Sequence, residues 1–130
     1  MGDRSQVAIK SDTNGSKVYL YGHWIGSDIY GAVARALVDV PGRHTDPEYL
    51  ARAIFCRMVR ADDLLSETGY GIGTRAHSDI EHYIPVLDCQ KCRVEWETPE
   101  WGHNQQEDEP EPCTFDQFIK RQKAGKYEHL

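Results

Sequence analysis

A tight turn between two strand-like segments is the feature of this 130-residue chain that most limits its fold. Val7 and Ile9 occupy alternate positions, and residues 18–21 are all β-branched, aromatic or leucine. Asn14-Gly15 lies between the two segments, and both residues tolerate the positive φ angles that hairpin turns require. The sequence therefore predicts an initial antiparallel β-hairpin, whose second strand ends at residues 22–24.

The periodicity then changes to that of amphipathic helices. Apolar residues from Ile29 to Val40 recur three and four positions apart, and Pro41-Gly42 follows as a stop signal. A second helix is expected to begin just before Pro47, because proline suits the first helical position. A third is expected at Thr114, which pairs with Gln117 in a Thr-x-x-Gln capping box.

Three more strands are expected between the second and third helices. Residues 70–74 alternate with glycine, and residues 83–87 and 93–97 resemble a second hairpin, in which Pro85 favours an edge or a bulge. Strands grouped apart from helices predict an α+β domain with a mostly antiparallel sheet of about five strands and three helices, in the order ββααβββα. We expect one domain over residues 1–130, containing an acidic loop at 98–112.

The net charge of −6 comes from one segment. Seven acidic residues and no Lys or Arg lie between residues 95 and 112, and the rest of the chain has 14 acids against 15 bases. An acidic chain is not expected to bind nucleic acid directly, because that binding depends on basic charge. The segment is instead predicted to contact a host protein with a basic surface, through Trp96, Glu97, Glu100, Trp101, Glu107, Asp108, Glu109 and Glu111.

Hydropathy predicts a cytoplasmic protein without a membrane partner. No segment approaches the roughly 18 unbroken apolar residues that span a bilayer, and no apolar signal core follows the first residues.

Cys89-x-x-Cys92, followed by His103 and Cys113, is the strongest local motif. Zinc prefers four thiolate or imidazole ligands in a tetrahedron, and a Cys-x-x-Cys turn supplies two of them. The alternative is a tight hairpin turn with two small facing residues, since a single Cys-x-x-Cys is a weak signal. We expect no cofactor, with zinc at these four residues as the alternative.

A second candidate is a ligand-binding cleft. Alternate glycines leave one strand face bare, so that either a ligand or a packed element lies against the backbone. A His-Trp pair before a helix supplies an aromatic wall, and Arg4 or Arg75 is a candidate for phosphate. The predicted ligand-binding residues are His23, Trp24, Glu67, Gly69, Gly71, Gly73 and Arg75.

Several segments together resemble a known protein family. They are Gly2-Asp3-Arg4, residues 18–24, residues 51–59 and residues 67–72. The family comprises small proteins from bacteriophages and bacterial genomes, and the resemblance covers roughly residues 1–87 and the helix at 115–119. The Cys-bearing hairpin and the acidic segment are departures from it. The resemblance implies a mobile-element setting without implying an activity.

Two functions follow as expectations. The first is a non-enzymatic phage or prophage protein that inhibits or sequesters a host factor through its acidic, Trp-bearing segment. The second is a protein or enzyme that binds a nucleotide-like ligand in the cleft near His23 and Trp24. An enzyme is not the favoured interpretation, because the chain has neither a P-loop nor a Gly-x-Ser-x-Gly elbow.

Overall fold

The computed structural model describes residues 2–11, 15–60, 69–99 and 109–124. The described residues form six strands, three α-helices and one 3-10 turn at Pro41–Arg43. The strands are β1 (Ser5–Lys10), β2 (Lys17–Gly22), β3 (Tyr70–Gly73), β4 (Ile84–Asp88), β5 (Arg93–Glu97) and β6 (Cys113–Thr114). The helices are α1 (Asp28–Asp39), α2 (Pro47–Arg60) and α3 (Phe115–Ala124). None of these helices is long and apolar enough to cross a bilayer.

The predicted α+β class is confirmed. The strands form one sheet in the order β3-β2-β1-β4-β5-β6, in which only β1 and β4 are parallel. The sheet has six strands rather than about five. The extra strand, β6, contains two residues and pairs with β5, so it is too short to show a hydrophobic period in the sequence.

The helices cover one face of the sheet. Val7 and Ile9 of β1 point into a core shared with Leu37 of α1, Ile54 of α2 and Phe118 of α3, and all five side chains are fully buried. Burial of each such side chain contributes about 1.5–3 kcal/mol. Because the helices pack on this apolar face, the other face of each strand is left uncovered by helices.

The opposite face is covered in part by the segment that joins β3 to β4. Ile80 is fully buried there against Ala8 and Val86. The side chain of Gln6 bonds the same segment, donating to the carbonyl of Arg75 at 3.3 Å and accepting from the N–H of His77 at 2.9 Å. The connection thus rests on the open face and leaves the β3 edge uncovered among the described residues.

The prediction that Pro85 marks an edge or a bulge is wrong for the strand as a whole. β4 lies inside the sheet, between β1 and β5. Proline is tolerated because the described pairing with β1 begins at Val86, one residue later, so that Pro85 lies beyond the end of that parallel ladder.

Candidate functional site

Three separate segments of the chain meet where β2 ends. The N–H of Asp3 donates to the carbonyl of His23 at 2.8 Å, and the carbonyl of Asp3 accepts from the N–H of Gly26 at 2.9 Å. The N–H of His23 donates to the carbonyl of Gly69 at 2.8 Å, directly before β3. Backbone hydrogen bonds therefore join the N-terminal Gly-Asp-Arg, the Gly-His-Trp segment and the start of the glycine-rich strand.

Glycine is required at several of these contacts. A β-carbon on Gly2 would lie 2.5 Å from the carbonyl oxygen of His23, and one on Gly69 would lie 2.6 Å from the ring of Trp24. Gly26 and Gly69 also have positive φ angles, of 56° and 97°. Close contacts and positive φ angles therefore explain these three glycines without any ligand.

His23 is a positioning residue in this arrangement. Its Nδ1 lies 2.8 Å from the hydroxyl of Tyr21, and its ring meets Trp24 edge to face with the centroids 4.5 Å apart. Gly2 packs against the other ring nitrogen, since a β-carbon there would lie 2.7 Å from Nε2. Burial raises the pKa of Tyr21, so its hydroxyl remains protonated. His23 therefore contacts two aromatic rings, and Gly2 lies close to its second ring nitrogen.

Ion pairs engage the charged residues beside this cluster. The guanidinium of Arg4 lies 3.2 Å from the carboxylate of Asp79 and 3.7 Å from that of Glu81. The carboxylate of Asp3 lies 2.6 Å from Nε2 of His82. Arg4 is thus paired with two carboxylates, which makes it a poor ligand for phosphate.

Gly71 and Gly73 differ from the glycines above because the described residues leave space beside them. A β-carbon on Gly71 would come no closer than 3.9 Å to Tyr21, and one on Gly73 would meet no described atom within 4 Å. Neither has a positive φ angle. In the β2–β3 register Gly71 lies opposite Tyr21 and Gly73 lies opposite Tyr19. Both glycines therefore open onto the face of the sheet that points away from the helices.

The result is a strip of bare backbone along an edge strand. Trp24 stands at one end, 57% exposed, with its ring against Gly69. At the other end, Tyr19 and Thr74 border an open cavity of about 420 Å³. We call this surface the glycine shelf and define it by Tyr19, Tyr21, Trp24, Gly69, Gly71, Gly73 and Thr74.

Arg75 and His77 follow the shelf along the chain. Both side chains are exposed, while Gln6 holds their backbone in place. The His77 ring lies 5.0 Å from that of Tyr21, measured between centroids. Arg75 therefore places a cation, and His77 an imidazole, at the border of the shelf.

The structure brings most of the predicted ligand-binding residues together. His23, Trp24 and the three glycines meet at the β2–β3 pair, Arg75 follows them, and Glu67 lies outside the described residues. Sequence reasoning missed Tyr19 and Tyr21. Their spacing of two residues places them on one strand face, but only the register shows that this is the face of the glycines.

The cysteine pair flanks the turn between β4 and β5. Burial, with a smaller contribution from the neighbouring Cys92, raises the pKa of Cys89 to about 12. Burial likewise raises the pKa of Cys113. Within the described ranges, no group of three or more His, Cys, Asp or Glu side chains is arranged to hold a metal, and His103 lies outside them. The zinc site stays a prediction.

The described part of the acidic segment is partly engaged with the domain. Trp96 is half-buried, meets Tyr30 edge to face at 5.6 Å between centroids, and donates from Nε1 to the carbonyl of Glu111 at 3.3 Å. Glu97 accepts from the hydroxyl of Tyr19 at 2.7 Å. Glu109 and Glu111 are exposed. The other predicted partner-binding residues, Glu100, Trp101, Glu107 and Asp108, lie outside the described residues.

Comparison with known proteins identified no relative, so the functional argument depends on the geometry of the site. No protein-family profile, curated protein or solved structure matches the chain.

Proposed function

We propose that the protein binds a small nucleotide-like molecule, with a planar ring and an anionic group, on the glycine shelf. The observation that carries this proposal is the open surface above Gly71 and Gly73, bordered by Tyr21 and the exposed Trp24. Backbone geometry and packing among the described residues require glycine at Gly69 but at neither of the other two positions.

Two unexplained glycines weaken an edge strand. Glycine in a strand interior costs roughly 0.5–1 kcal/mol relative to alanine, and such a glycine often marks the close approach of a ligand to the backbone. A ring lying flat over Gly71 would contact Tyr21 and reach the indole of Trp24. Stacking of a base on an aromatic side chain contributes about 1–3 kcal/mol, which exceeds the cost of one glycine.

Arg75 is the candidate for the anionic group. Its exposed side chain forms no hydrogen bond or ion pair with another described residue, and it directly follows Thr74 at the end of the shelf. Lys17, the other cation at that end, lies 3.8 Å from Glu97. A guanidinium presents parallel N–H donors that match phosphate oxygens, so Arg75 favours a phosphorylated ligand over a neutral one.

Thermal unfolding in the presence of nucleobases, nucleosides and nucleotides tests the proposal. A ligand at one hundred times its Kd adds about 2.7 kcal/mol to the free energy of unfolding, which is a rise in Tm of roughly 10 °C. We expect nucleotides to raise the Tm more than free bases, and Arg75→Gln to remove that difference.

A matched pair of aromatic substitutions provides the control. Trp24→Ala should abolish the ligand-dependent rise in Tm. Tyr49→Ala should retain it, because Tyr49 is 56% exposed but lies on α2, on the other side of the sheet from the shelf. A panel without any shift, or a full shift in Trp24→Ala, would contradict the proposal.

A second candidate function, capture of a basic host protein by the acidic segment in the manner of a phage inhibitor, is favoured by two hydrogen bonds to one carbonyl. The carbonyl of Glu111 accepts from Trp96 Nε1 and from the guanidinium of Arg121 at 3.1 Å, while the Glu109 and Glu111 side chains are exposed. The end of the segment is thus tethered to the domain with carboxylates toward solvent, which suits recognition of a basic surface.

Charge neutralisation tests this second function better than truncation of Trp96, because the Trp96 ring packs against Tyr30 and Phe118 and its removal would also affect stability. Glu109→Gln with Glu111→Gln should reduce the recovery of basic proteins from a bacterial lysate, and the loss should be greater at low salt. The control neutralises two exposed acids elsewhere, Glu48 and Asp116. Equal recovery by both double variants would remove the acidic segment from the function.

A further inference from the structure

A second pocket lies in the helical layer, on the opposite side of the sheet from the glycine shelf. It is a cleft between α1 and α3 with a volume of about 120 Å³. Gly31, Ala34 and Val38 form the α1 wall, and Ile119 and Gln122 form the α3 wall. The cleft exists because the α1 residues that face it, Gly31 and Ala34, are too small to fill the space between the helices.

Two cations line this pocket, whose other side chains are apolar except for that of Gln122. Arg35 and Lys123 contribute from α1 and α3 respectively. The Nε atom of Arg35 is buried and has no hydrogen-bond partner among the described residues. The nearby carboxylate of Asp39 on the same helix is paired with Arg57 at 2.5 Å. A buried guanidinium N–H without an acceptor is unfavourable, so the described residues leave the hydrogen-bonding capacity of Arg35 incomplete.

We propose that this pocket binds a small carboxylic acid with a single-ring apolar body. The carboxylate would accept from the guanidinium of Arg35 and be neutralised by Arg35 and Lys123, and the ring would lie between Ala34, Val38 and Ile119. An enclosed apolar cavity of about 150 Å³ accommodates benzene, so a cleft of about 120 Å³ that is partly open to solvent limits the apolar body to a single ring. A planar carboxylate also matches the planar guanidinium fork.

The pocket favours an acid over a neutral apolar molecule for an electrostatic reason. A neutral ring would fill the apolar walls but leave the guanidinium of Arg35 and the ammonium of Lys123 without a counter-charge, whereas a carboxylate complements both the apolar and the cationic lining. Attraction to two cations in a partly enclosed cleft is also screened less by water than at an open surface.

Titration of the protein with benzoate and with neutral benzyl alcohol, followed by backbone amide chemical shifts, tests the proposal. We expect benzoate to bind at least tenfold more tightly than benzyl alcohol and to shift the amides around Ala34 and Ile119. Arg35→Met should weaken benzoate binding at least tenfold. Arg52→Met, which removes an exposed arginine of α2, should leave it unchanged.

A second variant keeps the test valid if Arg35→Met does not fold. Val38 is 43% exposed, so Val38→Glu adds an anion at the pocket mouth with little effect on the core, and Val38→Gln is its uncharged match. Only the glutamate variant should weaken benzoate binding. Trp24→Ala should bind benzoate normally, which separates this pocket from the glycine shelf. Absence of benzoate binding, equal affinity for both probes, or full affinity in Val38→Glu would overturn the proposal.

Discussion

Substitutions at Gly69 and Gly71, two positions of the same edge strand region, should change stability in opposite directions. Gly71→Val places a β-carbon 3.9 Å from the nearest described atom, at a φ angle that is not positive. Gly69→Ala places a β-carbon 2.6 Å from the ring of Trp24 at a φ angle of +97°. The first change removes a conformational cost, whereas the second adds both backbone strain and a steric clash.

The expected magnitudes follow from these environments. Gly71→Val should raise the free energy of unfolding by about 0.5–1 kcal/mol, because it removes the entropic cost of glycine and adds a residue with high strand propensity. Gly69→Ala should lower it by roughly 1–3 kcal/mol, the range for a non-glycine residue held at an unfavourable φ angle.

Urea unfolding followed by circular dichroism measures both changes. The midpoint should move in opposite directions in the two variants with the slope m unchanged, since neither substitution alters the surface exposed on unfolding. In the same Gly71→Val protein, the ligand-dependent rise in Tm should be lost, because the valine side chain occupies the shelf.

Destabilisation by Gly71→Val would refute the reasoning, since it would show that a neighbour outside the described residues packs on this glycine. Full ligand binding by a stabilised Gly71→Val protein would refute the shelf as the binding surface while leaving the steric argument intact. The two measurements therefore separate the structural claim from the functional one.

Three further changes test other parts of the fold. Thr114→Ala should lower the free energy of unfolding by about 1 kcal/mol, because the Thr114 hydroxyl accepts from the N–H of Gln117 at 3.1 Å at the start of α3. Urea unfolding measures this change, and an unchanged free energy of unfolding would contradict the prediction. Because burial raises the pKa of Cys89 from 9 to about 12, the folded state keeps a proton that the unfolded state releases. The free energy of unfolding should then fall as pH rises from 9 to about 12, with a contribution from Cys89 of up to about 1.4 kcal/mol per pH unit. Cys89→Ala should remove this contribution, and the same dependence of stability on pH in both proteins would contradict the prediction. Two contacts of 2.5 and 2.7 Å join Asp39 and Arg57. A double-mutant cycle on this pair should give a coupling energy of about 1 kcal/mol that weakens in 1 M salt, and zero coupling would show that the pair does not stabilise the fold.

Local patterns in the sequence predicted local structure well. The hairpin is present, with Gly15 at a φ angle of +85° and the N–H of Ser11 donating to the carbonyl of Ser16. The α3 capping box forms with both reciprocal bonds, and α2 begins at Pro47. These features depend on residues within a few positions of one another, so a single sequence contains the relevant information.

Long-range pairing explains what sequence reasoning misjudged. The parallel contact of β1 with β4 joins segments about eighty residues apart, and it moves Pro85 from the expected edge to the interior of the sheet. Strand register also points the ring of Trp96 toward Tyr30 and Phe118, and no local pattern encodes which face of a strand meets the helices. Contact of Trp96 with a partner stays a prediction.

The sequence by itself determined the α+β class, the order of the main elements and the glycine pattern, because periodicity, turn residues and caps act over a few residues. Only the tertiary structure separated Gly69, which is required by a close contact, from Gly71 and Gly73, which border open space. That distinction depends on which distant side chains reach each position, and it is set by the register of β3 on β2 and by the placement of Trp24. The same kind of long-range packing, between α1 and α3, left Nε of Arg35 buried without a described acceptor.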